Sequence, residues 1–219
     1  FITNERLAVA DTAILCGTTL WRGIETDQDI NWLLVDRASF GDPDYVTLVW
    51  NGHGRRGDFK APVSNDARRR HMVDQYVQPW RTTDGETVLC GQTELYSPRY
   101  KTLAEWYADV DMSGVVTRFR KHPAAENPWR CKHMPRCNLP EWENAAQVST
   151  LNSSVGVDTV LNGVPTVTMD PASMAWNVTS HKPGDIWTPD RNDWLNWLTW
   201  TQWHHDEIER GISIKHLFE

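Results

Sequence analysis

No apolar run in this sequence approaches the ~20 residues that a bilayer-spanning helix requires, and no secretory signal opens the chain. A membrane partner is therefore not expected. There is no G-x-G-x-x-G fingerprint and no Walker A loop, which removes dinucleotide redox chemistry and ATP hydrolysis. Internal repeats and low-complexity tracts are absent as well. Positive charge is not in excess. The net charge is −7, which argues against a protein coated for nucleic acid. Cysteine is sparse, at four residues. Cys16 and Cys90 each close an apolar run just before a glycine, a normal setting for a buried thiol. Cys131 and Cys137, with His122 and His133 nearby, invite a zinc reading. Their spacing is not the usual ligand gap, and no second pair completes a tetrahedral set, so no metal is expected.

What is present describes a folded chain. Hydrophobic residues make up 40% and charged residues 23% of 219, enough for one domain or two small ones of about 100 residues. Charge is distributed unevenly. Residues 51–81 hold seven Lys/Arg against three acids, including Arg55-Arg56 and Arg68-Arg69-Arg70. Residues 112–138 hold six against Glu126 alone. Two basic islands on an acidic body suggest two local anionic ligands, with solvated helix faces as the alternative. Tryptophan is abundant, at thirteen. Trp194, Trp197, Trp200 and Trp203 recur at near-helical steps, predicting one amphipathic helix over residues 190–210 whose Trp face packs into a core.

Short apolar runs closed by Gly, Asp or Asn predict strands at residues 12–16, 32–35 and 46–50, followed by a helix near 66–77. In the second half, strands are expected at 85–92, 115–120, 148–151 and 166–169. Helices are expected at 101–109, 141–147 and from Ser153 or Ser154 to Leu161, closed by Asn162-Gly163. Alternation at this pitch implies a parallel sheet with right-handed crossovers. Residues 78–84, polar and Pro-containing, read as a linker.

The most informative stretch runs from Thr150 through Asn152-Ser153-Ser154-Val155-Gly156-Val157-Asp158 to Gly163-Val164-Pro165. A buried strand ends at two serines, and a helix starts where Gly156 permits close approach. Free amide N–H groups and the positive end of the helix dipole then face the carboxyl edge of the sheet. A diphosphate suits that position; a plain helix cap is the alternative.

This stretch resembles the donor-site motif of GT-B glycosyltransferases, a Ser-Ser/Thr-x-Gly-x-Glu/Asp pattern followed by Gly-x-Pro. The resemblance implies that Ser153, Ser154 and Val155 meet phosphate and that Asp158 holds ribose or sugar hydroxyls. Arg118-Phe-Arg120-Lys-His122-Pro123 resembles the family's Arg-x-His-Pro element, which would turn Arg120 and His122 toward the diphosphate or base. Gly91-Gln92-Thr93 resembles the turn beneath the nucleotide. The match covers roughly residues 85–180. Sugar-nucleotide 2-epimerases share the fold, but their further acidic and Gly-rich signatures are not found.

The fold so implied is α/β and GT-B-like, with two small Rossmann-like lobes and a C-terminal helix crossing back to the first. Residues 1–81 would form the acceptor-side lobe, 82–189 the donor lobe and 190–219 the Trp-rich helix. Asp109 and Asp111 have Asp-x-Asp spacing but follow a predicted helix, so metal-independent transfer is expected, with cationic side chains offsetting the leaving charge. An inverting reaction needs a base. Asp36 is the first candidate and His53 the second; for Asp36 the alternative is a strand-end cap or an ion pair with Arg37.

The small size resembles virus-encoded enzymes that glycosylate hydroxymethylated bases in phage DNA. Arg55, Arg56, Arg68, Arg69 and Arg70 would then meet phosphates of duplex DNA, and Trp50 or Phe59 would support a flipped base. The donor would be a nucleotide-sugar, UDP-linked by preference. Polysaccharide or small-molecule transfer is the alternative, as is a non-catalytic nucleotide-sugar or nucleic-acid binding module. The expected compartment is the cytoplasm, that of the host if the chain is viral.

Overall fold

The structure is a computed structural model, which describes residues 12–16, 31–40, 44–60, 72–82, 84–92, 102–122 and 145–219. The chain divides into two units. Unit 1 comprises Phe1–Val73 with Asp193–Glu219, and unit 2 comprises Asp74–Asn192.

Unit 2 is built on four parallel strands, β4 (Thr87–Cys90), β5 (Arg118–Arg120), β6 (Gln147–Thr150) and β7 (Thr166–Thr168), in the order β5-β4-β6-β7. Their burial is nearly continuous, as expected for strands covered on both faces. Helix α1 (Leu103–Met112) starts at a capping box. Glu105 N donates to Thr102 Oγ1, and Glu105 Oε2 accepts from Thr102 N. Leu103, Trp106, Tyr107 and Val110 form its apolar stripe and pack on Leu89, Phe119 and Leu151. On the opposite face Val88, Cys90, Val148 and Val164 pack with Val155 of helix α2 (Val155–Leu161).

Two glycines fix α2. A Cβ on Gly156 would come within 3.2 Å of Thr168 and 3.3 Å of Thr150, so the missing side chain is what seats the helix on β6 and β7. Gly163 has φ +73°, and a Cβ there would lie 1.9 Å from the Pro79 carbonyl oxygen. That oxygen belongs to residues 78–84, expected as a linker. This segment is bonded to unit 2: Gln78 N donates to Leu161 O, Arg81 N to Gly163 O and Trp80 Nε1 to Pro189 O. Buried Arg191 lies over the Trp80 ring and donates to the carbonyls of Val160 and Gln78. It thereby satisfies an acceptor at the C-terminal end of α2, where a cation is also favoured by the dipole.

Unit 1 carries β1 (Thr12–Cys16), β2 (Asn31–Arg37), β3 (Tyr45–Trp50) and β8 (Gln202–His204), in the order β1-β2-β3-β8. This sheet departs from the Rossmann-like expectation. β1 and β2 are parallel, but β3 is antiparallel to both β2 and β8. The reason is chain length. Residues 38–44 alone join β2 to β3, too few for a parallel crossover of about a dozen residues. Residues 72–74 are helical, while 66–71 of the helix expected there lie outside the described residues. Of the helix expected at 141–147, Ala145 and Ala146 are not helical and Gln147 already belongs to β6.

The segment after residue 190 is not one long helix. It forms α3 (Asn192–Thr199), then β8, then α4 (His205–Glu209) and α5 (Ile212–Phe218). Thr199 Oγ1 donates to Asn196 O, and Thr201 Oγ1 donates to Leu198 O. These local hydroxyl bonds close the helix, and the chain turns extended. The tryptophans therefore do not share a face: Trp194 lies on α3, whereas fully buried Trp203 lies on β8 with Leu33, Leu48 and Leu217. Buried Gln202 welds the new edge strand, its Oε1 accepting from Ser39 N and Thr47 Oγ1. Because Trp203 anchors both the strand and the covering helices, Trp203→Ala should cost about 3–5 kcal/mol. Urea unfolding followed by tryptophan fluorescence checks this; a loss under about 1 kcal/mol would place the residue outside the unit 1 core.

Candidate functional site

All four strands of unit 2 run the same way, so their carboxyl ends share one edge. Side chains from each end meet there. From β5 comes Arg120, 7% exposed. Among the described residues its side-chain hydrogen bonding amounts to one long contact, Nη1 to Cys90 Sγ at 3.7 Å, and its buried Nε–H has no partner. Arg120 acts through space on half-buried His122 and on Asp158 of α2. Burial, with Arg120 second, lowers the His122 pKa and favours the neutral ring. Burial raises the Asp158 carboxyl to about 6, and Arg120 opposes that rise.

From β4 comes Gln92, 4% exposed. Its backbone N–H donates to Tyr107 Oη at 3.0 Å, which ties the turn to α1. Its Nε2 donates to Asn152 Oδ1 at 2.8 Å, and Asn152 Nδ2 donates to Asp170 Oδ2 at 2.9 Å. Among the described residues Gln92 Oε1 is buried without a partner, as is Thr150 Oγ1 at the end of β6. Three adjacent strands thus end in orphaned buried polar atoms. Each such group costs about 1–3 kcal/mol when left unpaired, and their alignment along one edge is what a ligand site for polar or charged groups requires.

At the start of α2 the serines divide their roles. Ser154 already has helical dihedrals, with φ −56° and ψ −23°, and makes no side-chain cap bond. Ser153 accepts instead, its Oγ taking the Val155 N–H at 3.3 Å and its carbonyl the Gly156 N–H at 2.9 Å. The Ser154 side is exposed at this edge. Of the residues singled out from sequence, the structure brings Gln92, Arg120, His122, Ser153, Ser154, Val155 and Asp158 to one sheet edge. Thr93 and Arg68–Arg70 lie outside the described residues. Asn152 and Asp170 escaped sequence reasoning. Their one cue, an Asn before the double serine and an Asp after a strand, is common to many turns.

In unit 1 the proposed bases part company. The β2–β3 register sets Asp36 opposite Thr47 and Leu33 opposite Trp50. Asp36 therefore sits at the carboxyl end of β2, while His53 and the 3₁₀ turn Gly54–Arg56 follow β3 at the other end of the sheet. Asp36 Oδ1 accepts from Arg37 N at 2.8 Å, the strand-end cap that was the alternative. Trp50 packs edge-on against Phe218 and Phe59 against Trp197. Neither is the free platform expected for a flipped base. Among the described residues no group of three or more His, Cys, Asp or Glu side chains is arranged to hold a metal; Cys131 and Cys137 fall outside them.

The Asp158 environment yields a measurable pH dependence. With its carboxyl raised from 3.8 to about 6, the folded chain binds more protons than the unfolded chain between those values. Stability from this group is complete below the ordinary value and is lost as pH rises through about 6. Urea midpoints between pH 4 and 7 should therefore fall for the wild type relative to Asp158→Asn, which lacks the titration. Parallel curves would contradict a buried carboxyl.

No protein-family model and no curated protein matches the chain. Solved structures do. KpsC of Thermosulfurimonas dismutans, a β-Kdo 2,7 transferase, superposes with a TM-score of 0.59 at 13% identity, over 93% of this chain and 83% of that one. The β-Kdo 2,4 transferase of KpsC from the same organism gives 0.50 at 11% identity, over 87% and 80%. The chain shares the mixed α/β fold of these glycosyltransferases.

Proposed function

We propose that the chain is a glycosyltransferase of GT-B type, which binds a nucleotide-sugar at the carboxyl edge of the unit 2 sheet and transfers the sugar to a hydroxyl. The carrying observation is the row of orphaned groups there, with Arg120 at its end. A diphosphate would accept from the Arg120 Nε–H and from the exposed Ser154 hydroxyl at the start of α2. It would also favour protonation of His122, whose neutral form is stabilised in its absence. Leaving-group charge would fall on these cations without a metal ion. The fold shared with Kdo transferases supports transfer as the reaction class.

A saccharide hydroxyl is the favoured acceptor, because Trp50 and Phe59 are engaged within unit 1. Duplex DNA with hydroxymethylated pyrimidines is the second reading. It rests on the basic block of residues 51–81, where Arg55 and Arg56 are half-buried in the 3₁₀ turn. UDP is the first carrier to try. A non-catalytic binding module would hold the nucleotide-sugar and release no nucleoside diphosphate.

Asp36 and His53 lie at opposite ends of one sheet, so a single reaction centre can use only one as base. In an assay of nucleoside diphosphate release from a nucleotide-sugar panel, with oligosaccharides and hydroxymethylated DNA as acceptors, one acceptor class should turn over. That turnover should survive EDTA. Asp36→Asn should lower kcat by about 10²–10⁴, the range for a lost general base, and His53→Ala should have little effect. Loss with both variants, or with EDTA, would break the proposed mechanism, and no release with any pair would favour the binding module.

A further inference from the structure

Three side chains cross the carboxyl edge in one directed chain of hydrogen bonds. Asp170, 1% exposed, accepts through both carboxylate oxygens, Oδ1 from the Ala172 N–H at 2.9 Å and Oδ2 from Asn152 Nδ2 at 2.9 Å. A carboxylate has no hydrogen to give, so Asn152 must turn its amide NH₂ toward Asp170. The Asn152 carbonyl then faces Gln92, and Gln92 must donate to it through Nε2. That leaves Gln92 Oε1 as the free end of the chain, buried and, among the described residues, unpartnered. The polarity of the last group is thus set two residues away, from β7 across β6 to β4.

We propose that Asp170 and Asn152 are positioning residues that hold Gln92 as a hydrogen-bond acceptor for the nucleoside of the bound donor, selecting ligands that offer an N–H or O–H there. The inference rests on the donor site proposed above. Its shared chemistry has two sources, a base N–H and a ribose hydroxyl. The relay also forbids the opposite choice, since a ligand acceptor placed against Oε1 would meet a lone pair with no hydrogen between.

The relay predicts a reversal that simple structural support does not. In Asp170→Asn, Oδ1 still accepts from Ala172, so the new NH₂ faces Asn152. Asn152 must flip, Gln92 must flip in turn, and Nε2 replaces Oε1 at the free end. In the double variant Gln92→Glu with Asp170→Asn, the carboxylate moves to the other end, and an acceptor oxygen again faces the ligand.

The test is calorimetric binding of ADP, CDP, GDP and UDP, then of the tightest binder's 2′-deoxy form and its N-methylated base form. Wild type should lose about tenfold in affinity for one analogue, which names ribose or base as the source. Gln92→Met and Asp170→Asn should each bind the parent nucleotide about tenfold more weakly and no longer discriminate that analogue. The double variant should recover both affinity and discrimination. Unchanged binding in Gln92→Met, wild-type indifference to both analogues, or failure of the double variant to recover while it melts like the wild type would overturn the relay. If the wild type binds none of the four nucleotides, the donor site itself is misassigned and the relay falls with it.

Discussion

A guanidinium held below the surface at the end of a strand, with sulfur as its nearest hydrogen-bond acceptor, is the constraint around which unit 2 is arranged. Removing a charge from water costs several kcal/mol unless a partner restores the loss. Asp158 offsets part of it through space, although burial raises its pKa to about 6, so this compensation fades as the pH falls through that value. Among the described residues the edge holds a buried cation and a row of unpaired polar atoms. Everything that frames that edge serves to keep it fixed: Gly156 brings α2 against β6 and β7, Tyr107 pins the turn at Gln92, and Arg191 closes the far end of α2.

Unit 1 follows a different logic. Its mixed sheet is closed at one edge by a strand from the far end of the sequence, welded by Gln202 and covered by the helices around Trp203. The antiparallel turn of β3 carries His53, Arg55 and Arg56 away from Asp36. The two candidate bases, which the sequence assigns to one lobe, therefore lie at two ends of one sheet.

Much of unit 2 was legible because its signals are local. Ser153-Ser154, Gly156 and Asn162-Gly163-Val164-Pro165 specify strand, helix and strand within a few residues, and Gly163 needs its positive φ. The relay was not legible, since Gln92 and Asn152 are 60 residues apart and nothing local marks their pairing. The Trp repeat at 194–203 misled for a related reason. A step of three residues satisfies helical periodicity, but the helix-ending bonds of Thr199 and Thr201 and the demand of β3 for a neighbour are long-range or side-chain effects that periodicity does not carry. The antiparallel β3 was readable in principle from its short connection to β2.

The most direct measurement is the thermal unfolding of Arg120→Met beside the wild type, each with and without pyrophosphate. If Arg120 is a poorly compensated cation held ready for a diphosphate, the unliganded variant should melt at or above the wild type, because an apolar side chain replaces a costly charge. Pyrophosphate should then raise the Tm of the wild type and leave the variant unmoved. A variant that melts several degrees lower without ligand, yet responds to pyrophosphate as the wild type does, would mean that the guanidinium is a structural prop and that the anion site lies elsewhere.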